Sequence, residues 1–282
     1  VDSFTVSDKY DDVRQSERYQ PTLTKQLDSI FKSLDTIEEG SAAGAKVSQP
    51  VLVAPDSSKW SLRINTDGSI STVKHTPQNV LIMGNSLLLG FSTDGSYGEP
   101  FGTCASNPQS DWAYHVSAAL KEVNSSVNIS KIHDAAFEQS TDVATSSAYI
   151  ANNSNAWTGK DLIIIQIGDN VNTPEMQNVF DSEFEHLVQS MLTLSPNSRI
   201  ITTGIWFAKT AVAATLSRVC AKYGIPFVRI DDLNTTVNQG TSGEKITFAN
   251  GLTITADDKW ITHPGDNGHQ AIADRIIAAI DL

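Results

Sequence analysis

Ser86 closes the triplet Gly84-Asn85-Ser86, directly after the apolar run Val80-Leu81-Ile82-Met83. Four apolar residues in a row read as a buried strand, and a small polar triplet behind it lies at the carboxyl edge of a sheet, where open α/β folds bind ligands. The run Leu87-Leu88-Leu89 predicts a buried helix from this point, which would put the Ser86 amide at a helix N-terminus facing a developing negative charge. A serine hydroxyl attacks a carbonyl only when a base takes its proton, so the chemistry on offer is nucleophilic acyl transfer with a histidine partner. The plain alternative for Ser86 is a helix cap. Two later stretches bear on the choice: Gly168-Asp169-Asn170-Val171-Asn172 follows the most strand-like run, 161–167, and Thr262-His263-Pro264-Gly265-Asp266-Asn267-Gly268-His269 lies near the C-terminus.

These three blocks, in this order around a βα alternation, resemble the SGNH (GDSL-like) hydrolases from about Asn79 to Leu282. The resemblance implies a three-layer, flavodoxin-like parallel α/β sheet, hydrolysis of an ester, and neither metal nor organic cofactor. It makes Ser86 the nucleophile, His263 the base, and the Ser86 amide and Asn170 side chain two oxyanion donors, each worth about 3 to 4 kcal/mol of barrier. Pro264 would stiffen the loop and the following helix would anchor it, while His75, His115, His133, His186 and His269 read as surface or packing side chains.

The chain departs from the family pattern at three positions. Asn85 stands where Asp is usual, Val171 follows Asn170 where Asp is usual, and Trp260 occupies the usual place of the triad acid. Asp258, displaced by two residues, is the first candidate to fix the imidazole. Asp257, Asp266 and Glu138 remain open, and a Ser-His dyad held by a backbone carbonyl is an equal alternative. The family's third oxyanion donor is a glycine amide after the second strand; here the choice is Ala135 in Asp134-Ala135-Ala136 or Gly102 in Phe101-Gly102-Thr103. Tyr97, Phe101 and Trp206 lie where aromatic faces could stack on sugars, or simply pack.

The elements that must position these groups follow from periodicity. Helices are expected over 111–123, 141–150, 174–194, 211–223 and 267–280. Strands are expected over 127–132, 161–167, 199–206 and 226–230, with a hairpin over 246–255 around Asn250-Gly251. Upstream, Leu23, Leu27, Ile30, Leu34 and Ile37 form a short heptad seam in segment 1–45. Residues 46–77 carry a β-hairpin strip, and 78–282 the hydrolase-like domain. The order of helix, strip and domain loosely resembles stalk-to-tip connections of phage tail fibres and baseplates. The seam reads equally as an amphipathic helix lying on its own domain or as a short homo-oligomeric bundle, trimer included, and the phage likeness implies an extracellular or virion-associated setting.

A net charge of −12 argues against nucleic-acid and anionic-membrane binding, and no apolar run reaches the ~20 residues of a bilayer span. The chain begins at Val1 without a leader, which predicts a processed protein or a piece of a longer one. Cys104 and Cys220 form no framework of disulfides. The expectation is a serine esterase removing acetyl groups from an O-acetylated polysaccharide, or from a small acyl ester. Its rivals are a sugar-binding module without catalysis, for which Trp260 speaks, and a lipase-like activity.

Overall fold

The structure is a computed structural model, described here for residues 51–53, 59–64, 70–74, 76–90, 100–133, 135–196 and 198–280. The heptad seam of 1–45 and Tyr97 lie outside the described residues. The chain divides into two units, Val1–His75 and Thr76–Leu282. In the first, β1 (Val51–Val53), β2 (Lys59–Ile64) and β3 (Ile70–Lys74) form an antiparallel sheet, with Trp60 opposite Lys74 and Ile64 opposite Ile70.

The second unit holds β4 (Asn79–Gly84), α1 (Trp112–Val123), β5 (Asn128–His133), α2 (Ala135–Glu138), α3 (Val143–Trp157), β6 (Leu162–Gln166), α4 (Pro174–Leu194), β7 (Arg199–Thr203), α5 (Thr210–Tyr223), β8 (Phe227–Val228), the hairpin β9 (Lys245–Thr247) and β10 (Thr253–Thr255), and α6 (Asp266–Ile280). Its five-stranded sheet runs β5-β4-β6-β7-β8, parallel throughout. Side chains alternate across a strand, so Leu81, Met83, Ile163 and Ile165 enter the core beneath α3, α4 and α5. Val80, Ile82, Leu162 and Ile164 enter the one beneath α1 and α6. Both faces are covered, which is why these strands read as unbroken apolar runs. The register sets Gly84 beside Gln166 on one side and His133 on the other, so the loops after β4, β5 and β6 leave the sheet at one edge.

Helix ends follow local chemistry. The Asp111, Asp142 and Thr173 side chains accept from the first-turn amides of α1, α3 and α4, and Pro174 takes a first-turn position where it loses no helical bond. Two expected elements came out differently. The leucine run after Ser86 makes a single turn and no helix: Leu88 and Leu89 amides both reach the Asn85 carbonyl, but the Ser86 carbonyl accepts from the Thr103 amide and hydroxyl, while the Gly90 amide turns to Phe101. The strand expected to reach Trp206 stops at Thr203, because the Trp206 and Phe207 amides leave the ladder for the Asp169 carboxylate.

Candidate active site

Ser86 and His263, 177 residues apart, meet with Ser86 Oγ 3.3 Å from His263 Nε2. On the other side of the ring, Nδ1 lies 3.0 Å from the carbonyl oxygen of Trp260. A carbonyl can only accept, so Nδ1 carries the proton and Nε2 presents a lone pair to the serine. Burial holds the imidazole below the ordinary histidine range, against the Trp260 hydrogen bond that pulls it up. The ring is therefore neutral at pH 7, as a base must be. Phe207 meets it edge-on at 5.2 Å between centroids.

The loop bearing His263 is held from three sides. Trp206 Nε1 donates to the Thr262 carbonyl at 2.7 Å, Gly240 N donates to His263 O at 2.9 Å, and Gly265 N donates to Asn238 O at 2.9 Å. Cys104 Sγ adds a hydrogen bond to the Trp260 carbonyl at 3.1 Å. Its thiol is pushed up to about 12 by burial, which keeps it protonated as a donor.

Asp258 does not serve the imidazole; it accepts from the Ser242 hydroxyl. Asp257 accepts from the Lys259 amide, and Asp266 from the amide and hydroxyl of Ser106. What replaces the expected acid is the backbone of the residue at that position. The tight turn that brings His263 N to within 2.8 Å of Trp260 O brings its ring there too. This is the backbone-carbonyl alternative that the sequence left open; any residue can supply such a carbonyl, so residue identity could not say which one.

Asn170 follows β6, and its Nδ2 donates to Glu138 Oε2 at 2.6 Å. Glu138, the last residue of α2, is fully buried, and its Oε1 takes the Asn85 side-chain amide at 3.0 Å and the Gly168 amide. Burial pushes its carboxyl above the ordinary range, while the bonds from Asn170, Asn85 and Gly168 pull it back. Every neighbour donates to it, so we assign the ionised form. Asp169 is the second buried acid, raised to about 7 by burial. It accepts from the Trp206 and Phe207 amides at 2.9 Å and from Gln166 Nε2 at 2.9 Å. Thus Asn85, directly before Ser86, and Asn170 hang on one carboxylate, while Asp169 ties the same block to the aromatic loop over His263.

Gly102 is not the third oxyanion donor. Its amide serves the buried Asp111 carboxyl, and a Cβ there would run into His269 and the Leu87 carbonyl. Ala135 opens α2 two residues beyond His133, the partner of Gly84 in the sheet, and so sits at the same edge as Ser86. Phe101 and Trp206 do not line the surface: Phe101 packs on Phe248 at 5.2 Å, and Trp206 is wholly buried. His269 is also buried, accepting from Trp112 N and facing Thr103 O at 3.1 Å, a packing role. Among the described residues no group of three or more His, Cys, Asp or Glu is placed to hold a metal ion, and no helix is long and apolar enough to cross a membrane.

No protein-family model and no curated protein matches the chain. Solved structures do match. A Bacteroides uniformis protein described as a GDSL-like lipase is 16% identical, with a TM-score of 0.47, over 72% of this chain and 95% of its own. The family 3 carbohydrate esterase of Clostridium thermocellum is 12% identical, with a TM-score of 0.45, over 71% and 93%. The extracellular lipase of Streptomyces rimosus is 12% identical, with a TM-score of 0.43, over 72% and 99%.

Proposed function

We propose that the chain is a serine ester hydrolase. The reading is carried by one observation: a partly exposed hydroxyl lies 3.3 Å from the unprotonated nitrogen of an imidazole whose other nitrogen is tied to a carbonyl. In this scheme Ser86 Oγ attacks the ester carbon as His263 Nε2 takes its proton. The tetrahedral oxyanion is met by the Ser86 amide and the second Nδ2–H of Asn170. His263 returns the proton to the departing alkoxide. Water, deprotonated by the same nitrogen, then attacks the acyl-serine; the acyl–Oγ bond breaks, His263 gives the proton to Ser86 Oγ, and the carboxylic acid leaves. The Trp260 carbonyl orients the ring but supplies no full charge to the imidazolium. It also answers the absent acid that favoured a purely sugar-binding module.

The substrate we infer is an O-acetyl ester on a polysaccharide, in keeping with the resemblance of the motifs. Hydrolysis of p-nitrophenyl acetate, abolished in Ser86→Ala and in His263→Ala, tests the reaction. A series from acetyl to octanoyl esters tests the acyl preference, and acetate release from an acetylated polysaccharide tests the carrier. An inert wild type, or a Ser86→Ala variant of full activity, removes the proposal.

A further inference from the structure

We propose that Glu138 is a positioning residue for this hydrolysis: through its carboxylate it fixes which end of the Asn170 amide faces the reacting ester. The inference rests on the hydrolase reading above.

Four N–H groups converge on Glu138, from Asn85 Nδ2, Gly168 N, Asn170 N and Asn170 Nδ2. An asparagine amide can present either its oxygen or its NH2, and the two faces have nearly the same shape. A carboxylate accepts and never donates, so Asn170 must turn Nδ2 toward it. One of the two Nδ2 protons is spent there, leaving the other for an oxyanion. An oxygen in its place would repel the developing charge.

The same logic explains Asn85. Its Nδ2 donates to Glu138 at 3.0 Å and lies 3.5 Å from Asp169 Oδ2, and its Oδ1 accepts from the Leu87 amide at 3.1 Å. An aspartate at 85 would set a third carboxylate against two that are buried. Asn85 and Glu138 thus form a donor–acceptor pair that links the turn carrying the nucleophile to the loop carrying the oxyanion donor. Without a charge on the imidazole's partner, accurate placement of Asn170 is a larger share of what the site can offer.

Glu138→Gln keeps the shape and removes the acceptor-only character. Whichever way the new amide sits, an NH2 meets another donor: facing Asn170 it favours the flipped amide, and facing Asn85 and Gly168 it leaves those two without an acceptor. On p-nitrophenyl acetate kcat is expected to fall about 100-fold, the scale of a lost oxyanion donor, with KM changed by less than threefold. In an Asn170→Ala background the same change is expected to cost less than about threefold, because its route is already cut. A readout independent of activity is the low-field side-chain NH resonance of Asn170, identified by its loss in Asn170→Ala, which should move upfield in Glu138→Gln.

Wild-type kcat in Glu138→Gln, a full 100-fold loss in the Asn170→Ala background, or an unmoved Asn170 resonance would each overturn the assignment. If the wild type hydrolyses no ester, the hydrolase reading falls, and with it the oxyanion role. The resonance still decides whether Glu138 orients Asn170.

Discussion

His263 makes its two ring contacts on a neutral, polar frame: an alcohol on one nitrogen and a carbonyl on the other. Burial favours the uncharged ring, so protonation sets in below the ordinary histidine range. The acid limb of kcat/KM is therefore expected below pH 6.5, with activity lost as falling pH protonates Nε2. A pH–rate profile on the acetate ester measures it, and a limb above 6.5 contradicts the burial argument. Asp258→Ala should leave kcat within about twofold of wild type, since its partner is Ser242 and not the imidazole. A carboxylate-dependent triad would instead lose on the order of 10⁴-fold. Steady-state kinetics of that one variant separate a dyad from a triad.

At the scale of elements, the site is where three parallel strands end and their loops stop following helical rules. The turn after β4 fails to become a helix because Thr103 captures the Ser86 carbonyl, which pins Ser86 against the segment 101–103. After β6, Gly168 adopts φ 118°, and a Cβ there would stand 2.7 Å from Val212 and 2.8 Å from Ile205. The left-handed backbone permits the sharp exit that aims its amide at Glu138, the carboxylate that also takes Asn170 Nδ2. Gly168→Ala is expected to cost about 1–3 kcal/mol from backbone strain alone. It should also lower kcat more than it raises KM, because the loop it distorts carries Asn170, the oxyanion donor we propose. Urea unfolding and kinetics on the same sample check both. Equal stability would show that the loop relaxes.

For the whole molecule, the second unit carries both faces of its sheet, both large cores and every residue of the candidate site. A chain beginning at Thr76 is expected to keep the hydrolysis of the full chain. Light scattering of the two lengths tests the proposed oligomerisation by the upstream segment, which equal monomeric masses would exclude. Stability should carry the signature of His269, whose burial holds it down to about 4 from 6.5. The unfolded chain binds that proton near 6.5 and the native chain only near 4. His269 therefore contributes fully above 6.5 and withdraws up to about 3 kcal/mol as pH falls to 4. Asp169 and Asp111, raised by burial to about 7 and about 6, act in the opposite sense, favouring the native state at low pH. The His269 share is isolated as the wild type minus His269→Gln, compared by denaturant unfolding at pH 4.5 and 7.5. A difference that does not change with pH would contradict it.

Much of this architecture was legible along the chain because burial on both faces of a parallel sheet writes long apolar runs. Apolar spacing behind a Thr-Pro start likewise marks a helix such as Pro174–Leu194. Ser86, Asn170 and His263 stood out in the sequence by residue type and motif order, and the fold brings Ser86 and His263 within 3.3 Å. The partners of those residues were not legible. Asp258 looked like the acid because it is near in sequence, and Phe101 and Trp206 looked like sugar platforms because they are aromatic; the fold sends the first to Ser242 and buries the other two. Glu138, 32 residues before Asn170, and the Trp260 carbonyl take up the working contacts instead. Sequence determined which residues could react and which segments would be strands. Only the tertiary structure decided what each reactive group leans on, because hydrogen-bond partners are chosen by distance in space, and a backbone carbonyl offers the same acceptor whatever side chain it carries.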